Sequence, residues 1–267
     1  MSARIRHIAI VSEQYALEGR FYEAIFGMRP ASDTRPERAV TVSDGYVGLN
    51  INPRKAGRGA GLDHFGLEVD DADAVRARLR ERYPAIQVLA RPSTRPFAGV
   101  STHDPDGNIF DLSQRSMENR ASVYVEAERE QARAISHIAI RTLHPERTAE
   151  FYTDVFGLEP SARKAPDGSL ALSDGRVALV LMPWSILDYH GGGIARPGPD
   201  HIGFKVESIA ALEQHIAKVG ANNPHLRPLP VGAGSEGEAR LKLFASCPHG
   251  RYHLADPDGV LIDVAER

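Results

Sequence analysis

Residues 7–10 read His-Ile-Ala-Ile, and residues 137–140 read the same. The match extends well beyond four positions. Phe21-Tyr22 and Phe26-Gly27 return as Phe151-Tyr152 and Phe156-Gly157, and Ser43-Asp44-Gly45 returns as Ser173-Asp174-Gly175, all at an offset of 130 (137 − 7, 151 − 21, 173 − 43). The offset grows to 137 between Asp63-His64-Phe65-Gly66 and Asp200-His201-Ile202-Gly203 (201 − 64), then to 152 between Asp104-Pro105-Asp106-Gly107 and Asp256-Pro257-Asp258-Gly259 (256 − 104). A chain that repeats itself in this way folds one unit twice. The second copy has gained 7 residues before its second histidine (137 − 130) and 15 after it (152 − 137).

Within each copy the apolar period alternates between two and 3.6. In Asp200-His201-Ile202-Gly203-Phe204-Lys205-Val206, a period of two sends Ile202, Phe204 and Val206 to one face and His201, Gly203 and Lys205 to the other. His7, His64 and His137 open strands of the same kind. Phe151, Val155 and Phe156 at helical spacing predict a helix from about Glu146 to Phe156, stopped by Gly157. Strands follow near Leu170–Ser173 and Val177–Met182, turned by Asp174-Gly175. A further helix runs from about Ile209 to Val219, capped by Ser208 and stopped by Gly220, and the last strand covers Leu261–Ala265. The first copy repeats the order, with a charged helix from about Asp73 to Arg82. The expected architecture is α+β, each copy a pair of βαβββ units. The domains are residues 1–115 and 134–267, and the polar stretch 116–133, with its apolar Val123-Tyr124-Val125, reads as a linker or a clasp strand.

Composition narrows the partners. With 267 residues, 42% hydrophobic and 25% charged, the chain can bury two proper cores. A net charge of −3, with basic residues scattered among acidic ones, offers no field for nucleic acid. No stretch approaches the ~20 apolar residues of a membrane span, and the amino terminus runs into a strand with no apolar signal region, so a cytoplasmic location is expected. Cys247 is the only cysteine, which rules out an internal disulfide and a thiolate cluster. Any metal must be held by nitrogen and oxygen.

The two Asp-Pro-Asp-Gly turns each lead into a strand where a carboxylate alternates with core residues. Phe110 and Leu112, like Ile262 and Val264, face one way, so Asp111 and Asp263 face the other. Each copy therefore carries two histidines and one carboxylate on the strand faces turned away from the helices: His137, His201 and Asp263 in the second, His7, His64 and Asp111 in the first. If each sheet curls into a cup, the three converge. Two imidazoles and a carboxylate with open positions suit non-heme Fe(II), and Mn(II) or Zn(II) would also fit. The competing reading makes each histidine a hydrogen-bonded core residue.

These motifs resemble the vicinal oxygen chelate superfamily, which includes extradiol ring-cleaving dioxygenases, glyoxalase I, methylmalonyl-CoA epimerase and the fosfomycin- and bleomycin-resistance proteins. The resemblance covers nearly the whole chain as two tandem domains, each a half-open β-cup with helices outside. It implies metal ligands at His137, His201 and Asp263, or at His7, His64 and Asp111, with Asp standing where the family usually has Glu. Glyoxalase- and epimerase-type members use a fourth ligand, Glu or Gln, on the fourth strand; here Val177–Met182 offers none, and the first copy has only Asn50 or Asn52. Extradiol members carry a Tyr ten positions before the last ligand, which falls here on His253. Further acid/base candidates are His190 and His249. The insertions of the second copy hold Trp184, Tyr189, Arg196, Arg240, Lys242 and, close by, Arg251, material for a pocket wall or lid that would meet substrate, with Gly191-Gly192-Gly193 as a lid hinge. The resemblance thus implies an Fe(II) extradiol-type dioxygenase acting with O2 on a catechol-like or hydroquinone-like ring. A metal-dependent lyase or isomerase on a small oxygen-chelating substrate, or a non-catalytic aromatic-binding protein, are the alternatives. The second domain is expected to be catalytic and the first supporting, in a homo-oligomer.

Overall fold

The computed structural model describes residues 3–31, 39–57, 59–92, 97–115, 117, 131–161, 165–192, 196–231 and 252–267. The first copy runs β1 (Arg4–Ser12), α1 (Tyr15–Phe26), β2 (Arg29–Pro30), β3 (Val40–Ser43), β4 (Gly48–Pro53), β5 (Gly61–Val69), α2 (Ala72–Arg82), β6 (Val88–Ala90), β7 (Val100–His103) and β8 (Ile109–Gln114). The second runs β9 (Ala134–Thr142), α3 (Pro145–Phe156), β10 (Glu159–Pro160), β11 (Leu170–Ser173), β12 (Ala178–Pro183), α4 (Ile186–Gly192), β13 (Gly198–Val206), α5 (Ile209–Asn222), β14 (Tyr252–Ala255) and β15 (Leu261–Glu266). The stretch Val123-Tyr124-Val125 lies outside the described residues.

Each copy makes one open sheet, in the orders β2-β3-β4-β1-β5-β8-β7-β6 and β10-β11-β12-β9-β13-β15-β14. Two βαβββ modules meet where β1 pairs antiparallel with β5, and β9 with β13. On either side of that junction the neighbours are parallel, β4 and β8 in one sheet and β12 and β15 in the other. The period-two reading holds: Ile202, Phe204 and Val206 are wholly buried, while Lys205 is exposed.

Helix ends follow local chemistry. α1 and α3 stop at Gly27 and Gly157, both left-handed (φ 69° and 67°), whose N–H groups return to Glu23 and Thr153. Gly220 does not stop α5, which continues to Asn222. That glycine instead admits Arg227, whose Nε donates to the Gly220 carbonyl at 3.0 Å and whose Cγ would lie 2.6 Å from a Cβ there. Nor is Gly191-Gly192 a bare hinge. Both residues sit in the last turn of α4, whose start is capped by Ser185 Oγ accepting from Leu187 N and by Asp188 accepting from Ser185 N. Gly193 lies outside the described residues, and no described helix is long and apolar enough to cross a membrane.

One apolar core joins both sheets, because their helix-covered faces turn towards each other. Phe26 stacks on Phe204 at 3.9 Å, and Phe110 packs against Phe151, Tyr152 and Phe156. The repeated motifs turn out to be cross-links between the copies. Tyr22 donates to Asp256 at 2.9 Å and Tyr152 to Asp104 at 3.4 Å. Each Ser-Asp-Gly aspartate spends one oxygen on its own turn and the other across the seam, Asp44 accepting from Ile135 N and Asp174 from Ile5 N.

The seam is not fully symmetric. At the place of Thr148, which hydrogen-bonds Thr142 at 2.9 Å, the first copy has Glu18 (148 − 130). Glu18 is wholly buried, with the carboxylate of Asp256 beside it. Burial and the neighbouring Asp256 push its carboxyl far above the ordinary value of 4.5, so the folded chain keeps a proton there that the unfolded chain releases. This contribution is complete below pH 4.5 and shrinks as pH rises above it, at a rate approaching 1.4 kcal/mol per pH unit, a limit of about that size for one proton. Glu18→Gln, which cannot ionise, is expected to flatten the fall of the melting midpoint between pH 6 and 9. Parallel wild-type and variant profiles would refute it.

Candidate metal centre

Register puts the second-copy donors in one place. On three adjacent strands His137 lies opposite Gly203, and Gly203 opposite Asp263. His201 sits two residues before Gly203 on the same face. Glycine is required at the centre: a Cβ on residue 203 would fall 1.9–2.5 Å from three atoms of the His137 ring. Over this gap His201 Nε2 meets His137 Nε2 at 3.1 Å, and His137 Nε2 lies 3.5 Å from Asp263 Oδ2. The donor atoms of His137, His201 and Asp263 all lie within 4.8 Å of one another, and so do those of His7, His64 and Asp111. All six residues are buried.

An aspartate beside each second histidine decides which nitrogen faces the cup. Asp200 Oδ1 meets His201 Nδ1 at 2.6 Å and Asp63 Oδ2 meets His64 Nδ1 at 2.7 Å. With Nδ1–H held by a carboxylate, Nε2 presents its lone pair to the other donors, the arrangement that orients histidine ligands in metal sites. Asp200 is itself fixed by Arg141, 2.7 Å away and buried. These roles escape a period-two reading, which sends the residue before a histidine to the opposite face. A bulge cancels the alternation. The pairing of β13 with β9 passes from Pro199 to His201 against consecutive residues Ile140 and Ala139, and that of β5 with β1 skips Asp63 in the same way. The available signal was an Asp directly before His in both copies.

The surroundings of the two carboxylates differ. Asp111 receives a hydrogen bond from the Ser101 hydroxyl and lies 3.1 Å from His64 Nε2. Neither oxygen of buried Asp263 takes part in a hydrogen bond among the described residues. His253 Nε2 is 3.0 Å from Asp263 Oδ1 without the geometry of one. A buried carboxylate with unsatisfied oxygens is costly unless a cation meets it, so the second donor set fits a divalent ion on its own chemistry. In the first cup, burial lowers His64 but its bonds to Asp111 and Asp63 outweigh this and carry it up to about 9, while burial and His64 hold His7 down to about 3. A proton on His64 and a metal ion at that point are therefore alternatives.

His253 lies directly opposite Asp263 on β14, where the first copy has Ser101 opposite Asp111. The wall beside the second triad is apolar, with Ala139, Val180 and Met182 packed with Ala171 and Ala178. β12 supplies no fourth ligand. In the first cup Asn50 accepts from Thr41, and Asn52 donates to the Ile10 carbonyl. Trp184 is half-buried just after β12, its backbone N–H donating to the Thr142 carbonyl, whereas Tyr189, His190 and Arg196 are exposed. No hydrogen bond, ion pair or ring contact joins His190 to the triad among the described residues. His249, Arg251, Arg240 and Lys242 lie outside them.

The family model for the glyoxalase/bleomycin resistance protein/dioxygenase superfamily matches residues 4–112 and 134–264. The chain belongs to this superfamily. Similar solved structures include an Mn(II)-bound glyoxalase from Novosphingobium aromaticivorans (17% identity, 98% of this chain and 81% of that one, TM-score 0.66). Others are the homoprotocatechuate 2,3-dioxygenase of Arthrobacter globiformis (17%, 99% and 79%, 0.65) and the 2,2',3-trihydroxybiphenyl 1,2-dioxygenase of Sphingomonas wittichii (16%, 100% and 91%, 0.65). A search of the curated proteins finds no match. At such identities the likeness establishes the tandem superfamily fold alone.

Proposed function

We propose that the chain is a metal-dependent extradiol-type dioxygenase that cleaves a catechol-like or hydroquinone-like ring in its second domain, with Fe(II) held by His137, His201 and Asp263. The observation that carries this reading is the open three-donor set beside an apolar wall, with a histidine opposite the carboxylate and no fourth ligand on β12. A bound ion would supply acidity to the ring hydroxyls and a common point for ring and O2. The chain supplies the rest. Asp200, locked by Arg141, keeps His201 Nε2 aimed at the ion. Ala139, Val180 and Met182 give a planar ring an apolar surface and exclude water. His253, its side chain 22% exposed beside Asp263, accepts a hydroxyl proton and returns it to the opened product. The repeat offset pairs Phe97 with His249 (249 − 97 = 152), and His249 is a second proton-handling candidate; Trp184, Tyr189 and Arg251 are candidates for substrate contact. The first domain supports the second across the shared core.

Protein purified without air is expected to contain iron and, with a catechol panel, to consume O2 and form a coloured ring-opened product. His253→Gln should retain the metal and lose about 10²- to 10⁴-fold in kcat. Zinc or manganese without oxygen uptake, together with turnover of an oxygen-chelating substrate by isomerisation or elimination, would replace this reading with the lyase or isomerase one. Unchanged kcat in His253→Gln would remove that residue from the chemistry.

A further inference from the structure

The first cup holds a donor triangle of its own, and its surroundings set it apart from the second. Donors about 2.1 Å from one ion and about 90–110° apart lie about 3.0–3.4 Å from each other. His7 Nε2 to His64 Nε2 is 3.4 Å and His64 Nε2 to Asp111 Oδ2 is 3.1 Å. With Asp63 engaging His64 at Nδ1, the lone pairs of His64 Nε2, His7 Nε2 and Asp111 Oδ2 point at one buried place. A proton there can bridge two of these atoms; a divalent ion satisfies all three.

Access differs. Phe97 is wholly buried and lies flat on the His7 ring, centroids 4.7 Å apart and planes 19° from parallel, with its Cε1 over Gly66. It is the one non-glycine residue with positive φ (64°) among those described, a backbone that persists where the surroundings impose it. Its ring takes the volume that a planar ligand would need, and Ser101 stands where the second cup has His253. We infer that the first cup is a second divalent-metal site, sealed by Phe97, that holds its ion structurally and takes no substrate.

This inference is independent of the reaction assigned to the second cup. Loaded with Co(II) without air, the wild-type chain is expected to bind two ions by elemental analysis and to release them to EDTA in two phases, the first-cup ion in the slow one. His64→Ala, and separately Asp111→Asn, should lose one ion and the slow phase; His201→Ala should lose one ion and the fast phase. Phe97→Ala should keep two ions and release both quickly. One wild-type ion that His201→Ala removes and His64→Ala spares overturns the inference and leaves the second-cup reading standing. One ion with the reverse dependence supports it and removes the metal from the second cup. Two ions released at a single rate overturn the seal, and no bound ion overturns both sites. Should both first-cup variants fail to fold, wild-type stoichiometry and release kinetics still decide.

Discussion

Gly203→Ala is expected to abolish the second metal centre without touching any ligand. The added Cβ would lie 1.9 Å from His137 Cε1, 2.0 Å from Nδ1 and 2.5 Å from Nε2, so the imidazole must leave the position that lets it meet His201. Strand β13 cannot yield instead, because it is paired on both sides, with β9 and with β15, at this very residue. Loss of one of three ligands should cost more than the 10–100-fold in affinity typical of disturbing a ligand's support, and turnover should fall with metal content. Overpacking at so tight a site adds about 1–3 kcal/mol of destabilisation. Titration of the anaerobic variant with Co(II), with melting followed in parallel, checks both effects. A folded variant that binds two ions with wild-type affinity would show that His137 is not a ligand.

Asp263→Asn should have opposite effects on the metal-free and metal-loaded protein. Without an ion, the wild type buries a carboxylate whose oxygens make no hydrogen bond among the described residues. Exchanging it for a neutral amide of the same shape removes the larger part of that desolvation cost, about 1–3 kcal/mol, so the metal-free variant should melt higher. With metal, the order reverses. The wild type gains RT ln(1 + [M]/Kd), about 2.7 kcal/mol at a hundredfold excess over Kd, and the variant, deprived of the triad's carboxylate, gains little from it. Melting curves of both proteins with and without Mn(II) test the crossing. A metal-free variant less stable than the wild type would mean that Asp263 is already satisfied within the chain, and the orphaned-carboxylate argument for a bound cation would fail.

The repeat, the strand faces and the six donor residues were all legible along the chain. A period of two separates Ile202, Phe204 and Val206 from His201 and Gly203, and the same arithmetic puts Asp263 opposite Ile262 and Val264. Such patterns are local: the pleat imposes them on any strand with one buried face, whatever it later pairs with. The same locality explains the errors. Gly220 looks like a helix stop because glycine is a poor helix residue, but Arg227, seven residues away, gives it a packing role that lets α5 continue. Gly191-Gly192 looks like a hinge until the Ser185 and Asp188 caps are seen to start a helix that runs through it.

Pairing between distant segments decided the rest. The bulges at Asp63 and Asp200 exist only because β5 and β13 slip by one residue against β1 and β9, and that slip turns an apparent core aspartate into the group that aims a histidine. Phe97 shows no period linking it to His7, yet tertiary packing lays one ring on the other. The two tyrosines of the Phe-Tyr pairs and the two Asp-Pro-Asp-Gly aspartates read as separate repeated motifs, and only the closing of one sheet's helices over the other made each tyrosine donate to the aspartate of the opposite copy. Residue order thus determined which side chains could reach each cup. Strand register and the shared core determined that one cup stands beside an apolar wall with its carboxylate unsatisfied and the other is filled by an aromatic ring, because hydrogen-bond satisfaction and excluded volume depend on neighbours that the chain brings together only on folding.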